Sequence, residues 1–175
     1  MTSSTNSLPA LPFLKDGITH VAIVVKDLEE AVEQYYRTFG IGPWSFFTYG
    51  SPLLKRMIYH GREVQHTFRI ALAQTGSQRI ELVQHVSGES IYADFIAEYG
   101  YGVQHLGVTV ENMKVALAQA AAAGIAVIQE GGGFGLNGDG AIAYLDTYMD
   151  YGVILELVER PQARNAPDKV YPPQN

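Results

Sequence analysis

The feature that most constrains the fold of this 175-residue chain is an internal repeat. The segment ITHVAIVVKD at residues 18–27 matches VQHLGVTVEN at residues 103–112. Each copy also ends in a similar way, with RIELV at residues 79–83 and ILELV at residues 154–158. A repeated segment is normally one supersecondary unit that buries its apolar face against its neighbours. The sequence therefore predicts two similar modules that share one core.

The same order of elements is predicted in both copies. The dense β-branched residues of the opening segment are typical of a buried strand. Asp27 and Asn112 each stand where a side chain can cap the following helix, and Gly40 and Gly124 end those helices. The runs that follow predict strands at residues 44–49, 56–59, 67–73 and 78–84 in the first copy and at residues 126–129, 141–146 and 153–159 in the second. Each half is therefore predicted to be β-α-β-β-β, with one extra short strand in the first.

This pattern predicts an α+β protein of two paired modules. Between the halves, apolar residues at i, i+4 spacing predict a linking helix that ends at Gly100. The predicted organisation is a flexible N-terminal tail at residues 1–16, a first βαβββ module at 17–86, the linking helix at 87–100, a second βαβββ module at 101–160 and a C-terminal tail at 161–175. The C-terminal tail is expected to be loose or to lie over the surface.

Composition excludes several functional classes. A formal net charge of −6 argues against binding to nucleic acid, which requires a basic surface. The absence of cysteine excludes disulfides and thiolate ligands, so any bound metal must take nitrogen and oxygen ligands. No apolar run is long enough to span a membrane, and residues 1–14 do not resemble a signal peptide. We therefore expect a globular, cytoplasmic protein whose partner is a small molecule.

Four residues of the repeat are candidates for a metal site. His20 and His105 occupy matched strand positions, and so do Glu81 and Glu156. If a pseudo-two-fold axis relates the halves, these side chains would meet across it. Two imidazoles and two carboxylates suit a divalent ion such as zinc, nickel, cobalt, manganese or iron. A single strand histidine is more often a hydrogen-bonded core residue and a single strand glutamate usually faces solvent, but four residues at equivalent positions favour the metal site.

The chain resembles the vicinal oxygen chelate superfamily, which includes glyoxalase I, methylmalonyl-CoA epimerase, extradiol dioxygenases and bleomycin-resistance proteins. Four separated segments carry the resemblance in the right order: ITHVAIVVKDLEEAVEQYYRTFG, IELVQ, IYADFIAEYGYGVQHLGVTVEN and GVILELVE. The resemblance covers about residues 17–160, and the epimerase and glyoxalase I branches are the most similar. It implies paired βαβββ modules that form a cupped mixed sheet around one divalent metal ion per chain. The implied ligands are His20, Glu81, His105 and Glu156, and the implied assembly is a homodimer.

The resemblance also implies a reaction, the removal of a proton next to a metal-bound carbonyl by a lyase or isomerase of the glyoxalase and epimerase type. Glu156 is the candidate for the catalytic carboxylate that moves the proton. An epimerase would need a second acid or base on the opposite face, and the strand at residues 66–71 offers Arg69 in place of a carboxylate. Two alternatives remain open, an Fe²⁺ ring-cleaving dioxygenase and a metal-free protein of the same fold that sequesters a hydrophobic compound.

Five residues are candidates for binding the substrate. Arg69 would hold a substrate carboxylate, although a strand arginine is more often solvated. Trp44, Phe46, Phe47 and Tyr49 would line an apolar pocket, and ordinary core packing is an equally good explanation for them. The GxGxxG pattern at residues 133–138 lacks the surrounding βαβ unit of a nucleotide site and is expected to form a loop at the mouth of the cup.

Overall fold

The structure, a computed structural model, describes residues 10–173. Within these residues the chain forms one sheet and four short helices. The strands are β1 His20–Val24, β2 Trp44–Tyr49, β3 Arg56–Tyr59, β4 Arg62–Glu63, β5 Thr67–Thr75, β6 Gln78–Ser87, β7 Gly102–Thr109, β8 Val127–Phe134, β9 Gly140–Leu145, β10 Ile154–Glu159 and β11 Lys169–Tyr171. The helices are α1 Leu28–Phe39, α2 Ile91–Tyr99, α3 Met113–Ala122 and α4 Tyr148–Tyr151.

The sheet consists of two equivalent halves joined at the centre. The first half has the order β2-β5-β6-β1 and the second has the order β8-β9-β10-β7 from its outer edge inward. In each half the opening strand pairs in parallel with the closing strand, and β1 pairs antiparallel with β7 where the halves meet. The predicted α+β class and the predicted relation between the two copies are confirmed.

Three strands lie outside the symmetric arrangement, namely β11 and the paired strands β3 and β4. The extra strand predicted at residues 56–59 is β3, but it pairs with β8 of the second half. Near the C-terminus, β11 pairs antiparallel with β2 at the opposite edge of the sheet. Each half is therefore extended by a strand whose residues come from elsewhere in the sequence, which holds the halves together beyond the central β1–β7 pair.

The apolar residues form three clusters, one on the concave face and two on the outer face. Helix α1 packs its buried Leu28 and Val32 against the outer side of β2, β5 and β6. Helix α3 packs in the same way on the second half, beneath Val108 and Leu157. The third cluster lies inside the cup, where α2 closes one end with Tyr92. Covering the outer face leaves the concave face as the surface available to a ligand.

Helices α1 and α3 begin at the residues predicted from the repeat. The Asp27 side chain accepts a hydrogen bond from the Glu30 backbone N–H at 2.9 Å, and the Asn112 side chain accepts one from Val115 at 3.0 Å. The linking helix ends at Gly100, as predicted, with the Gly100 N–H donating to the Ile96 carbonyl.

The two tails are partly described. The predicted N-terminal tail falls largely on residues 1–9, which lie outside the described residues, whereas Phe13 is buried against the α3 cluster. The C-terminal segment runs over the surface and ends in β11. No helix of the described part is long and apolar enough to cross a membrane.

The matched caps provide a test of the repeat. Replacement of Asp27 or Asn112 by alanine should lower the free energy of unfolding by about 1 kcal/mol in each case, because a helix N–H loses its acceptor. Urea denaturation measures this, with Glu111→Ala as the control beside the second cap. A large loss at one cap and none at the other would contradict the equivalence of the two modules.

Candidate metal centre

Two rows of the sheet bring the four candidate ligands together. In one row Glu81 of β6 lies beside Ala22 of β1, which lies beside His105 of β7. In the other row Glu156 of β10 lies beside Gly107 of β7, which lies beside His20 of β1. Each row therefore holds the histidine of one half and the glutamate of the other. Since all four side chains face the concave side, they converge on the floor of the cup.

The side chains approach each other closely. The Nε2 atom of His20 lies 2.9 Å from the Glu156 carboxylate and 3.8 Å from that of Glu81. The Nε2 atom of His105 lies 3.6 Å from Glu156 and 3.9 Å from Glu81. Donor atoms of His20, Glu81 and His105 all lie within 4.8 Å of one another, and all four residues are buried. The spacing of these three residues is that of metal ligands, and the Glu156 carboxylate lies beside both histidine rings.

The hydrogen bonds of the histidines leave the correct nitrogen free for a metal. The Nδ1 atom of His105 lies 2.9 Å from Gln104 Oε1, and the amide nitrogen of Gln104 donates to the Ile91 carbonyl. Gln104 therefore presents an acceptor, so His105 carries its proton on Nδ1 and leaves Nε2 as a lone pair. Neither buried Nε2 atom forms a hydrogen bond of regular geometry, although that of His20 lies 2.9 Å from the Glu156 carboxylate. Two such imidazole nitrogens beside two buried carboxylates fit a divalent cation.

Burial controls the protonation of this cluster. It raises the pKa of Glu81 to about 7, in spite of the opposing effect of His20. It likewise lowers the pKa of His105 to about 4. Burial would also raise the pKa of Glu156, but His105, His20 and a hydrogen bond from Tyr144 outweigh it and lower that pKa. A bound cation would relieve the cost of ionising both carboxylates, because it stabilises their charged forms.

The candidate ligands lie at the floor of an apolar pocket. The pocket has a volume of about 850 Å³, including its open mouth. Aromatic and aliphatic side chains of both halves form its walls: Phe47, Tyr49, Phe68, Ile70, Phe134 and Ile142. Glu81 and Glu156 are the carboxylates among its described lining residues. A ligand would therefore meet polar groups at the floor and apolar surface along the sides.

Of the five residues predicted to bind the substrate, Arg69, Trp44 and Phe46 do not line this pocket. Trp44 and Phe46 are buried against α1 on the outer face of the sheet. Arg69 lies at the edge of that face, where its Nη1 donates to the Glu29 carboxylate at 3.0 Å. Side chains alternate between the two faces of a strand, and in β2 it is the other set, which includes Phe47 and Tyr49, that faces the cup. The aromatic strand therefore contributes to the pocket through Phe47 and Tyr49, two of its four predicted residues.

Three residues beside the candidate ligands were not predicted: Gly107, Tyr144 and Tyr92. The ring of His20 lies over Gly107, where an added Cβ would be 1.9 Å from the ring, so this position has no room for a side chain. The repeat carried a signal for it, because Gly107 aligns with Ala22, the other small residue beside a histidine. Tyr144 donates to Glu156 and lies 2.6 Å from the hydroxyl of Tyr92. No sequence spacing connects these tyrosines, which only folding brings together.

The comparison with known families agrees with this geometry. Residues 19–144 match the family described as the Glyoxalase/Bleomycin resistance protein/Dioxygenase superfamily. The chain belongs to this superfamily. The match covers both histidine strands, β6 and the helices α1 and α3, but it ends before β10, so it includes His20, Glu81 and His105 and not Glu156.

Solved structures share the fold of this glyoxalase-superfamily protein. A hypothetical protein from Bacillus halodurans is 24% identical, with a TM-score of 0.57 over 85% of this chain and 97% of its own. Methylmalonyl-CoA epimerase from Streptomyces coelicolor, in complex with 2-nitronate-propionyl-CoA, is 23% identical, with a TM-score of 0.57 over 81% and 95% of the two chains. The epimerase from Mycobacterium tuberculosis is 22% identical, with a TM-score of 0.56 over 83% and 88%. No curated protein matches the chain.

The close approach at Gly107 gives a test of the site geometry. Gly107→Ala should displace the His20 ring and weaken binding of zinc at least tenfold, while overpacking costs about 1–3 kcal/mol of stability. Gly132→Ala is the matched control, since an added Cβ there meets nothing closer than 3.9 Å. Zinc affinity is measured by competition with a chelator. Equal zinc affinities of the two variants would contradict this account.

The raised pKa of Glu81 predicts a pH dependence for the metal-free protein. Its carboxyl group holds a proton in the folded state up to about pH 7, whereas in the unfolded chain it ionises near the ordinary value of 4.5. The free energy of unfolding should therefore fall, relative to Glu81→Gln, as the pH rises from about 4.5 to about 7. The expected difference is up to about 3 kcal/mol, at about 1.4 kcal/mol for each pKa unit.

Urea denaturation of both proteins across this range, with chelator present, measures the effect. Glu63→Gln in the exposed β4 is the control. Saturating zinc should remove the pH-dependent loss, because the metal favours the ionised carboxylate. Parallel stability curves for wild type and Glu81→Gln would show that Glu81 titrates normally.

Proposed function

We propose that this protein is a divalent-metal-dependent enzyme, a lyase or isomerase that moves a proton next to a carbonyl group bound in the cup. The observation that carries this proposal is the pair of histidine nitrogens that lack a regular hydrogen bond beside two buried carboxylates. A core of this kind is costly without a cation, since two ionised carboxylates in an apolar floor repel each other and lose their hydration.

The chain would hold the ion with the Nε2 atoms of His20 and His105 and with carboxylate oxygens of Glu81 and Glu156. An ion bound there supplies Lewis-acid stabilisation of the negative charge that develops on the carbonyl oxygen. Zinc, nickel, cobalt, manganese and iron(II) all accept this set of nitrogen and oxygen ligands. Gln104 orients the His105 ring through Nδ1, so it is a positioning residue for the ligand set.

Glu156 is our candidate for the carboxylate that accepts and returns the proton. It lines the pocket and accepts a hydrogen bond from Tyr144, which in turn is paired with Tyr92. Burial raises the pKa of both tyrosines well above the ordinary value, so both stay protonated donors. Glu81 is the competing candidate, because it lines the same pocket and its carboxylate lies 3.8 Å from the Nε2 atom of His20.

The pocket walls favour proton transfer on one face of the substrate. An epimerase with two separate bases would need a carboxylate opposite Glu156, yet β2 and β5 present Phe47, Phe68 and Ile70 to the cup. We therefore favour a reaction in which one carboxylate both removes and returns the proton. The similar fold of the epimerase with bound 2-nitronate-propionyl-CoA supports acyl thioesters as one class to assay.

Metal content is the first test of the proposed function. Purified protein, or protein supplied with each of the five metals, should hold about one ion per chain by mass spectrometry. His20→Ala and His105→Ala should lose it, because each removes one nitrogen ligand. His60→Ala, on the exposed turn after β3, is the matched histidine control. Protein that takes up no metal under any of these conditions would overturn the proposal and favour a metal-free binding protein.

The catalytic assignment is tested separately. The metal-loaded protein should catalyse exchange of the carbon-bound proton next to the carbonyl of acyl thioesters or 2-oxo acids in D₂O, observed by NMR. Glu156→Gln should lower the exchange rate at least a hundredfold with at least half of the metal retained, since loss of a general base typically costs 10²–10⁴-fold. A larger loss in Glu81→Gln than in Glu156→Gln would transfer the role to Glu81. Oxygen uptake by the iron-loaded protein in place of exchange would indicate a dioxygenase.

A further inference from the structure

Three arginines line one end of the pocket: Arg79, Arg160 and Arg164. Arg79 lies two residues before Glu81 on β6, so its side chain is on the same face of the sheet. Arg160 comes four residues after Glu156, at the end of β10. Since β1 and β7 are antiparallel, β6 and β10 also run in opposite directions, and both arginines therefore lie at the same end of the cup.

In the described part of the chain, none of the three guanidinium groups is paired with a carboxylate. Within residues 10–173, other arginines form ion pairs with glutamates, namely Arg37, Arg56, Arg62 and Arg69. Like charges gathered at the mouth of an apolar pocket are unfavourable unless an anion binds between them.

The segment that carries Arg160 and Arg164 is held in place at several points. The Leu136 N–H donates to the Ala163 carbonyl at 2.8 Å, and the Gly135 N–H donates to Asn165 Oδ1 at 2.9 Å. Further along, β11 fixes the segment to the edge of the first half. Residues 133–138 were expected to form a loop at the mouth of the cup, but Gly133 and Phe134 belong to the end of β8. The loop that begins at Gly135 supports the segment with the two arginines. The arginine cluster is therefore built into the fold by contacts that do not involve the arginines themselves.

We infer that this cluster binds an oxyanion of the substrate, a carboxylate or a phosphate, while the carbonyl end of the same molecule lies at the candidate metal centre. This inference rests on the proposed function. Arginine suits the role, because its planar group forms paired hydrogen bonds with carboxylate and phosphate oxygens. The substrate class is then an amphipathic molecule with an oxygen-bearing reactive end, an apolar middle that contacts the pocket walls and an anionic end at the rim.

The sheet geometry sets the length of that molecule. Arg79 and Glu81 are two residues apart on β6, so they are separated by about 6.6 Å along the strand. The side chains add several ångströms, so an apolar spacer of about five carbons should connect the two ends. A shorter ligand would reach one of the two sites but not both.

A two-ended ligand tests the inference. The monohydroxamate of pimelic acid has a metal-binding hydroxamate, five methylene groups and a terminal carboxylate, and its methyl ester lacks only the charge. We expect the zinc-loaded protein to bind the acid at least tenfold more tightly than the ester by calorimetry at low salt. Arg79→Gln and Arg164→Gln should each reduce this preference severalfold, and a triple variant with Arg160→Gln should abolish it. Arg37→Gln, which removes the same charge from the outer surface of α1, should leave it unchanged.

The outcomes separate this inference from the proposed function. If acid and ester bind equally well, the oxyanion site is overturned and the metal-dependent function stands. If zinc is not taken up and neither compound binds, both fail. Zinc content and thermal unfolding of each variant identify any variant that is misfolded. The preference for the acid over the ester in the remaining variants then tests the oxyanion site. An analogue with a terminal phosphonate distinguishes the two anions, since tighter binding than the carboxylate assigns a phosphate.

Discussion

The antiparallel pairing of β1 with β7 is the contact on which the site depends. It sets His20 beside Gly107 and His105 beside Ala22, so that each imidazole lies across a residue with little or no side chain. A β-bulge in this pair leaves Gln104 buried next to His105, where its amide can orient the ring. A shift of one residue in the pairing would turn both histidines toward the helices.

The four polar side chains on the floor of the cup come from both modules, so one module alone cannot form the site. Each half supplies one histidine and one glutamate, and its outer face is covered by its own helix. The concave faces have no such cover and meet around the ligand site. The cost of burying four polar side chains there is the physical argument for a cation, because hydrogen bonds satisfy the Nδ1 atoms but leave both Nε2 atoms without a hydrogen bond of regular geometry. A bound cation would therefore supply the site with a positive charge that the chain itself lacks.

The two ends of the pocket differ, because the two halves of the fold are not fully symmetric. The end near α2 is closed by aromatic residues such as Tyr92 and Phe95, whereas the opposite end is open and carries Arg79, Arg160 and Arg164. Two of these arginines belong to the C-terminal segment, which has no counterpart in the first half. A ligand would therefore enter from the arginine end and extend toward the histidines. The repeated part of the fold builds the candidate metal centre, and the unrepeated part builds the surface that would recognise the rest of the substrate.

The sequence by itself determined the two-module organisation, the helix caps at Asp27 and Asn112 and most strand bounds, because these depend on local periodicity and on side chains near in sequence. Matched positions in the repeat also indicated which four polar residues would meet, although their role as ligands stays a prediction. The tertiary structure alone decided which face of each strand lines the cup, so that Phe47 rather than Phe46 faces the pocket. It also decided the pairing of Tyr144 with Tyr92 and the gathering of the three arginines. These contacts join residues far apart in the chain, and their partners are set by strand register and sheet curvature, which no local pattern encodes.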